Sequence, residues 1–274
     1  MAEIHGAAAK QRIWLISGTG EGPPLAQELL RRGWWLRVSV VSAAAARAYP
    51  LHPRLERQVG ALGEGQALQR RLASWPCRWV VDAAHPFAQR LHPAVQQACQ
   101  TLEQPLLRLQ RPVLPLGEAT LLKDLAQLQS VSLEGEQLLL AVGARELGKA
   151  LTLSRASGHA ARLLPTPGAL SQALQLGLPA EKIACLRPQS GASAHGSVEA
   201  ALCRRWGITC VLARQSGGAP ERLWHQICRD LGLRLLLIQR PNTVQNGLSF
   251  EALLARLGAP EAGSEDRLSA DGVD

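Results

Sequence analysis

Short apolar runs alternate with amphipathic, helix-length segments along almost the whole chain, and this rhythm limits the fold more than any other feature. Apolar runs at 13–16, 36–41, 79–82 and 106–109, with a weaker one at 58–62, are separated by helical patterns at 25–32, 66–73 and 88–102. Unbroken apolar runs between helices read as strands covered on both faces, which predicts a parallel sheet. The segment 112–118, PVLPLGE, interrupts the rhythm. It then resumes with strands predicted at 137–142, 160–164, 183–186, 210–213 and 234–238, and helices at 144–151, 168–176, 197–206, 220–231 and 249–257. The fold class expected is therefore α/β, built as two Rossmann-like parallel-sheet units. Residues 1–115 form the first unit, 116–258 the second, and 259–274 a polar, unstructured tail. Ligand sites in such sheets lie at the carboxyl ends of the strands, so the cleft between two units is the expected active site.

A chain of 274 residues, 46% apolar, has enough material for two packed cores. Residues 1–11 carry no long apolar stretch of the secretory type, and no run approaches the roughly 20 apolar residues that span a bilayer. Six dispersed cysteines without a C-x-x-C pair fit reduced thiols in a cytoplasmic protein, and the histidines complete no metal pattern. The formal net charge is +8, and nearly all the basic residues are arginine. They form no dense basic run, which weighs against nucleic acid as a partner. Guanidinium groups pair bidentately with carboxylate and phosphate, so the excess suits a small polyanion equally well.

The first strand ends in Gly18-Thr19-Gly20-Glu21-Gly22, followed by a helix. Glycines there let a ligand come close to the backbone, and loop and helix amides can serve an anion. The third glycine of G-x-G-x-x-G would fall at 23, where this chain has Pro23, and neither Pro23 nor Pro24 has an amide proton to offer. Phosphate donors are thus expected from Gly18 to Gly22.

The second strand lacks the acid that NAD sites place at its end for the ribose hydroxyls, since neither Asp nor Glu occurs between Leu29 and Leu55. Ser42 and Arg47 stand where a 2′-phosphate would sit. This favours NADPH, with NADH as the alternative donor. The missing acid also weighs against an S-adenosylmethionine-dependent methyltransferase. The only tyrosine, Tyr49, is followed four residues later by proline, which removes the Tyr-x-x-x-Lys pair of short-chain dehydrogenases.

The segment 78–99, RWVVDAAHPFAQRLHPAVQQAC, ends a strand at Asp82 and places His85-Pro86-Phe87 in the loop beyond it, where a reacting ligand would lie. VVDAAHPFA resembles the V-D-A-T-H-P-F-A motif of the precorrin-6A reductase family, with Ala84 for the threonine. LISGTGEG is similar to that family's L-x-G-G-T-x-E-A turn, with Ser17 for its first glycine and Gly22 for its alanine. PLLRLQRP (105–112), VGARELGKAL (142–151), ARLLPTP (161–167), VLARQSGG (211–218) and IQRP (238–241) resemble further segments in the same order. Arg214 replaces a lysine before Ser-Gly-Gly, and Ala144 precedes Arg145. The likeness spans 12–257.

The resemblance implies a cytoplasmic oxidoreductase of cobalamin (vitamin B12) biosynthesis. Such an enzyme transfers a hydride from NADPH to a precorrin-6A or cobalt-precorrin-6A tetrapyrrole. It implies cofactor contacts from Gly18, Thr19, Gly20, Glu21, Ser42 and Arg47. It implies substrate contacts from His85, Pro86, Phe87, Arg145, Arg214, Ser216, Gly217 and Gly218. His85 is the candidate proton donor, and neither metal nor membrane is implied. A monomer or small homo-oligomer is expected. The alternatives are the methyltransferase and a nucleotide-sensing module without catalysis.

Overall fold

The computed structural model describes residues 9–187, 196–241 and 247–261. The predicted tail lies outside the described residues from 262 onward. Two compact units emerge, one made of residues up to Arg111 together with those from Pro241, the other of Pro112–Arg240.

In the first unit, strands β1 (Arg12–Ser17), β2 (Trp35–Val40), β3 (Leu55–Val59), β4 (Trp79–Ala83) and β5 (Leu106–Arg108) form a wholly parallel sheet in the order β3-β2-β1-β4-β5. The intervening helices are α1 (Gly22–Arg31), α2 (Ala43–Ala46), α3 (Gly65–Ala73) and α4 (Leu91–Thr101). Alternate residues of β1 serve opposite faces. Ile13 and Leu15 pack with Leu25, Ala26 and Leu29 of α1, whereas Trp14 and Ile16 pack with Leu68 and Leu72 of α3 and Val95 of α4.

The third strand lies slightly earlier than the predicted 58–62. Its side chains are only partly buried because it sits at the sheet edge, so its apolar signal is weak.

The second unit contains β6 (Thr120–Leu122), β7 (Gln137–Leu140), β8 (Gly158–Leu163), β9 (Ile183–Cys185), β10 (Cys210–Arg214) and β11 (Arg234–Ile238), again all parallel, in the order β6-β11-β10-β7-β8-β9. Its helices are α5 (Ala144–Leu153), α6 (Pro167–Gln175), α7 (Ser197–Trp206) and α8 (Ala219–Leu231). Leaving aside β6, the strand order repeats that of the first unit. β6 falls where the rhythm lapses, and its brevity hid it. It is recognisable only by its pairing with β11.

The assignment of 241–258 to the second unit is corrected. Helix α9 (Phe250–Leu257) buries Leu253, Leu254 and Leu257 in the cluster that contains Leu25, Ala26, Leu29 and Leu30 of α1. Leu248 bridges Leu109, donates to the Arg108 carbonyl at 2.9 Å and accepts from the Gln110 amide at 2.8 Å. Arg32 and Trp34 donate to the carbonyls of Leu254 and Gly258 at 2.5 and 3.0 Å. Chain order cannot reveal this return, because an apolar helix face matches any apolar partner.

Candidate functional site

In the first sheet the chain runs outward from β1 through β2 to β3 and then returns to place β4 on the other side of β1. The switch point therefore lies at the carboxyl ends of β1 and β4, and the loops there are 18–21 and 84–90. Thr19 Oγ1 ties them together by donating to the Ala83 carbonyl at 3.2 Å. A Cβ built on Gly18 or Gly20 meets nothing within 4 Å, and neither residue has a positive φ. Neither the backbone conformation nor the chain's own packing demands glycine at these two positions. What glycine leaves there is open space over the loop, the space a close ligand uses.

Gly22 is different. A Cβ on it would lie 2.0 Å from Ser17 Oγ and 2.2 Å from the Tyr49 hydroxyl. It supplies the close helix–strand packing that the third fingerprint glycine normally allows, one position before the expected one. The Gly22 amide donates to Thr19 O and the Leu25 amide to Glu21 O, and Pro23 and Pro24 have none. An anion over this bend would therefore be met by the amides of 18–21 rather than by the helix terminus. The Glu21 carboxylate is bonded to the guanidinium of buried Arg111, which offsets its charge beside such an anion.

At the end of β2, Ser42 caps α2 by accepting from the Ala45 amide at 3.2 Å. Arg47 follows α2 directly and is exposed. Both sit at the same carboxyl edge as the glycine bend, because β2 is the neighbour of β1.

His85, Pro86 and Phe87 are half-buried in the loop after β4. His85 Nδ1 accepts from the Phe87 amide at 3.2 Å, so the neutral ring carries its proton on Nε2. The rings of His85 and Phe87 lie 5.8 Å apart. Beneath this loop lies a buried polar cluster whose members the sequence reading left without a role. Asp82 is fully buried, His92 is 4% and Arg108 8% exposed. Asp82 Oδ2 contacts His92 Nδ1 at 2.6 Å and accepts from Arg108 Nε at 3.0 Å, while Oδ1 accepts from the Ala84 amide at 3.1 Å. His92 Nε2 reaches the His85 carbonyl at 3.0 Å, and Arg108 donates to the His92 carbonyl at 3.2 Å. Each ring nitrogen of His92 faces an oxygen, so each of its two contacts needs a proton. Polar residues inside apolar strands, Asp82 in WVVDA and Arg108 in LLR, were the available signal.

In the second unit the switch point lies between β7 and β10. Gly143, at φ 83°, begins α5, and Arg145 in its first turn is exposed. β10 ends in Arg214, and the buried Gln215 and Ser216 follow. Burial pushes the Arg214 pKa down, nearby Glu146 opposes that shift, and Arg145 adds to it. Gly217, at φ 70°, donates its amide to Glu221 Oε2 at 2.5 Å. Glu221 lies in the first turn of α8, is 1% exposed, and stands 3.8 Å from His225 Nε2. The Gly217 amide is thus held by the chain's own carboxylate rather than open to an outside anion. An acid three residues after the Gly218 cap was the missed signal. Among the described residues, no group of three or more His, Cys, Asp or Glu side chains is placed to hold a metal ion.

The model of the family described as precorrin-6x reductase CbiJ/CobK matches residues 12–258. A cobalt-precorrin-6A reductase of Synechocystis sp. is 34% identical over 240 residues, covering 85% of this chain and 89% of that protein. A cobalt-precorrin-6A reductase of Methanothermobacter thermautotrophicus is 27% identical over 117 residues, 42% of this chain and 37% of that one. Among solved structures, CobK precorrin-6A reductase superposes with a TM-score of 0.72 at 24% identity, over 92% of this chain and all of that one (100%).

Proposed function

The chain belongs to the precorrin-6x reductase family, and from that premise we propose that it reduces the precorrin-6A or cobalt-precorrin-6A macrocycle with a nicotinamide hydride, as a step of cobalamin biosynthesis. The observation that carries the cofactor half is the open space over Gly18 and Gly20 at the first sheet's switch point, with no positive φ to account for either glycine. NADPH, when bound, supplies the hydride. Thr19 holds the bend against β4, Glu21 is neutralised by Arg111, and the amides of 18–21 take the pyrophosphate. Ser42 and Arg47 take the 2′-phosphate, which favours NADPH over NADH.

His85, in the loop beyond β4, is the group that carries a proton to the reduced carbon. Protonation of Nδ1 would displace the Phe87 amide. Pro86 and Phe87 supply apolar surface for a macrocycle. In the second unit Arg145 on α5, Arg214 at the end of β10 and Ser216 beyond it pair with substrate carboxylates, while Gly217 and Gly218 shape the loop that carries Ser216. Arg214 stays a cation despite its burial, because guanidinium remains protonated throughout the working range.

An anaerobic assay of NADPH absorbance with enzymatically made precorrin-6A and its cobalt form tests the reading. Oxidation of NADPH that depends on the tetrapyrrole, with formation of the dihydro product, is expected. NADPH binding without oxidation under those conditions would identify a sensing module instead.

A further inference from the structure

We propose that Ser17 and Tyr49 act as a spacer that sets the loop carrying Ser42 and Arg47 against the glycine bend, and thereby help decide between a 2′-phosphorylated and an unphosphorylated dinucleotide. The proposal rests on the cofactor reading above. Ser17 closes β1 and Gly22 opens α1, so they flank the bend on either side. Tyr49 donates its hydroxyl to Ser17 Oγ at 2.7 Å, and both residues are 5% exposed. The Tyr49 ring packs in the core cluster with Ala46, Leu25 and Val38. Its pKa is pushed up to about 12 by burial, so it stays a phenol and a donor.

The segment from Ser42 to Tyr49 is itself closely tied. Ala45 and Ala46 donate to Ser42, and Tyr49 donates its amide to the Ala46 carbonyl at 3.2 Å. A displacement of Tyr49 therefore carries Ser42 and Arg47 with it.

The space is full. Any Cβ at 22 would fall within 2.2 Å of both hydroxyl oxygens. Only glycine at 22 leaves room for both hydroxyls. Positions 17 and 49 thus couple the two stretches that would hold pyrophosphate and ribose.

The test measures NADPH and NADH affinities by fluorescence titration for Tyr49→Phe, Ser17→Ala, the double variant and Arg47→Glu, with melting temperatures for each. Tyr49→Phe and Ser17→Ala are each expected to weaken NADPH about fivefold and NADH little, with a smaller change in kcat than in Kd. The double variant should lose no more than either single one, as expected for two halves of one contact. An unchanged NADPH-to-NADH ratio in Tyr49→Phe, or losses that simply multiply in the double variant, would overturn the spacer. Arg47→Glu distinguishes the two levels. If it keeps the NADPH preference, the cofactor placement fails and the spacer with it; if it loses the preference while Tyr49→Phe does not, only the spacer fails. The steric half is read from Gly22→Ala, which should lower the melting temperature, and from Gly22→Ala combined with Ser17→Gly and Tyr49→Phe, which removes both crowding hydroxyls and should recover part of the loss. A combined variant no more stable than Gly22→Ala would count against the steric half.

Discussion

Asp82 is the residue on which most of the geometry beneath the first unit's loops converges. One fully buried carboxylate organises the Ala84 amide, the His92 ring and the Arg108 guanidinium, and through His92 it reaches the His85 carbonyl. A buried acid with two cationic-capable partners survives only while all of them remain, because removing one leaves a charge without compensation. His92→Ala is therefore expected to cost about 3 kcal/mol or more of stability and to lower kcat at least tenfold by releasing the His85 loop. Denaturant unfolding and steady-state assays check the two parts, and a stable variant with full turnover would remove the cluster from the site. At the same scale, His85→Ala should lower turnover and change its pH profile; an unchanged rate and profile would exclude His85 as the proton carrier. His85, Phe87 and the two glycines of the bend were legible in the sequence because strand–loop–helix order places such residues at a sheet edge. The roles of His92, Arg111 and Glu221 were not, since each depends on a partner distant in sequence or on the local course of one turn.

At the scale of elements, helix α9 supplies the clearest case of placement that sequence order misassigns. Its apolar face, Leu253, Leu254 and Leu257, lies in the core of the first unit although it follows the last strand of the second. Leu253→Ala removes a fully buried side chain, a change that costs about 2–5 kcal/mol. The loss should appear as faster hydrogen exchange in β1 and α1 with β7 unaffected. Faster exchange confined to β7 and β10 would contradict the packing described. The strands that flank both switch points were readable from apolar runs alone. The edge strands β3 and β6 were shifted or missed, because an edge strand need not be apolar on both faces.

For the molecule as a whole, burial and charge give two further expectations. Desolvation raises the thiol pKa of Cys77, Cys210 and Cys228 to about 12 and of Cys99 and Cys203 to about 11. A raised folded pKa holds the proton that the unfolded chain gives up. Their contribution to stability is thus complete below pH 9 and is lost as the pH climbs from there toward 12. The melting temperature should fall above pH 9, and a Cys210→Ala variant should flatten that part of the curve. These thiols should also resist alkylation at neutral pH until the chain unfolds. The net charge of +8 favours approach of a polycarboxylate, so raising salt should raise the KM for the tetrapyrrole several-fold while kcat holds. A salt-independent KM would remove steering from the account.

The sequence alone determined the α/β class, the parallel sheets, the glycine bend, the acid-free second strand and the family, because periodicity and strand-end motifs are local properties of the chain. The tertiary structure decided that 241–258 closes the first unit, that Gly22 rather than residue 23 makes the close approach, that Asp82, His92 and Arg108 form one cluster, and that Glu221 occupies the Gly217 amide. These depend on which side chains meet across the fold, or on how one turn of backbone bends. Apolar faces and polar groups find partners by burial and geometry, and no local pattern carries that information.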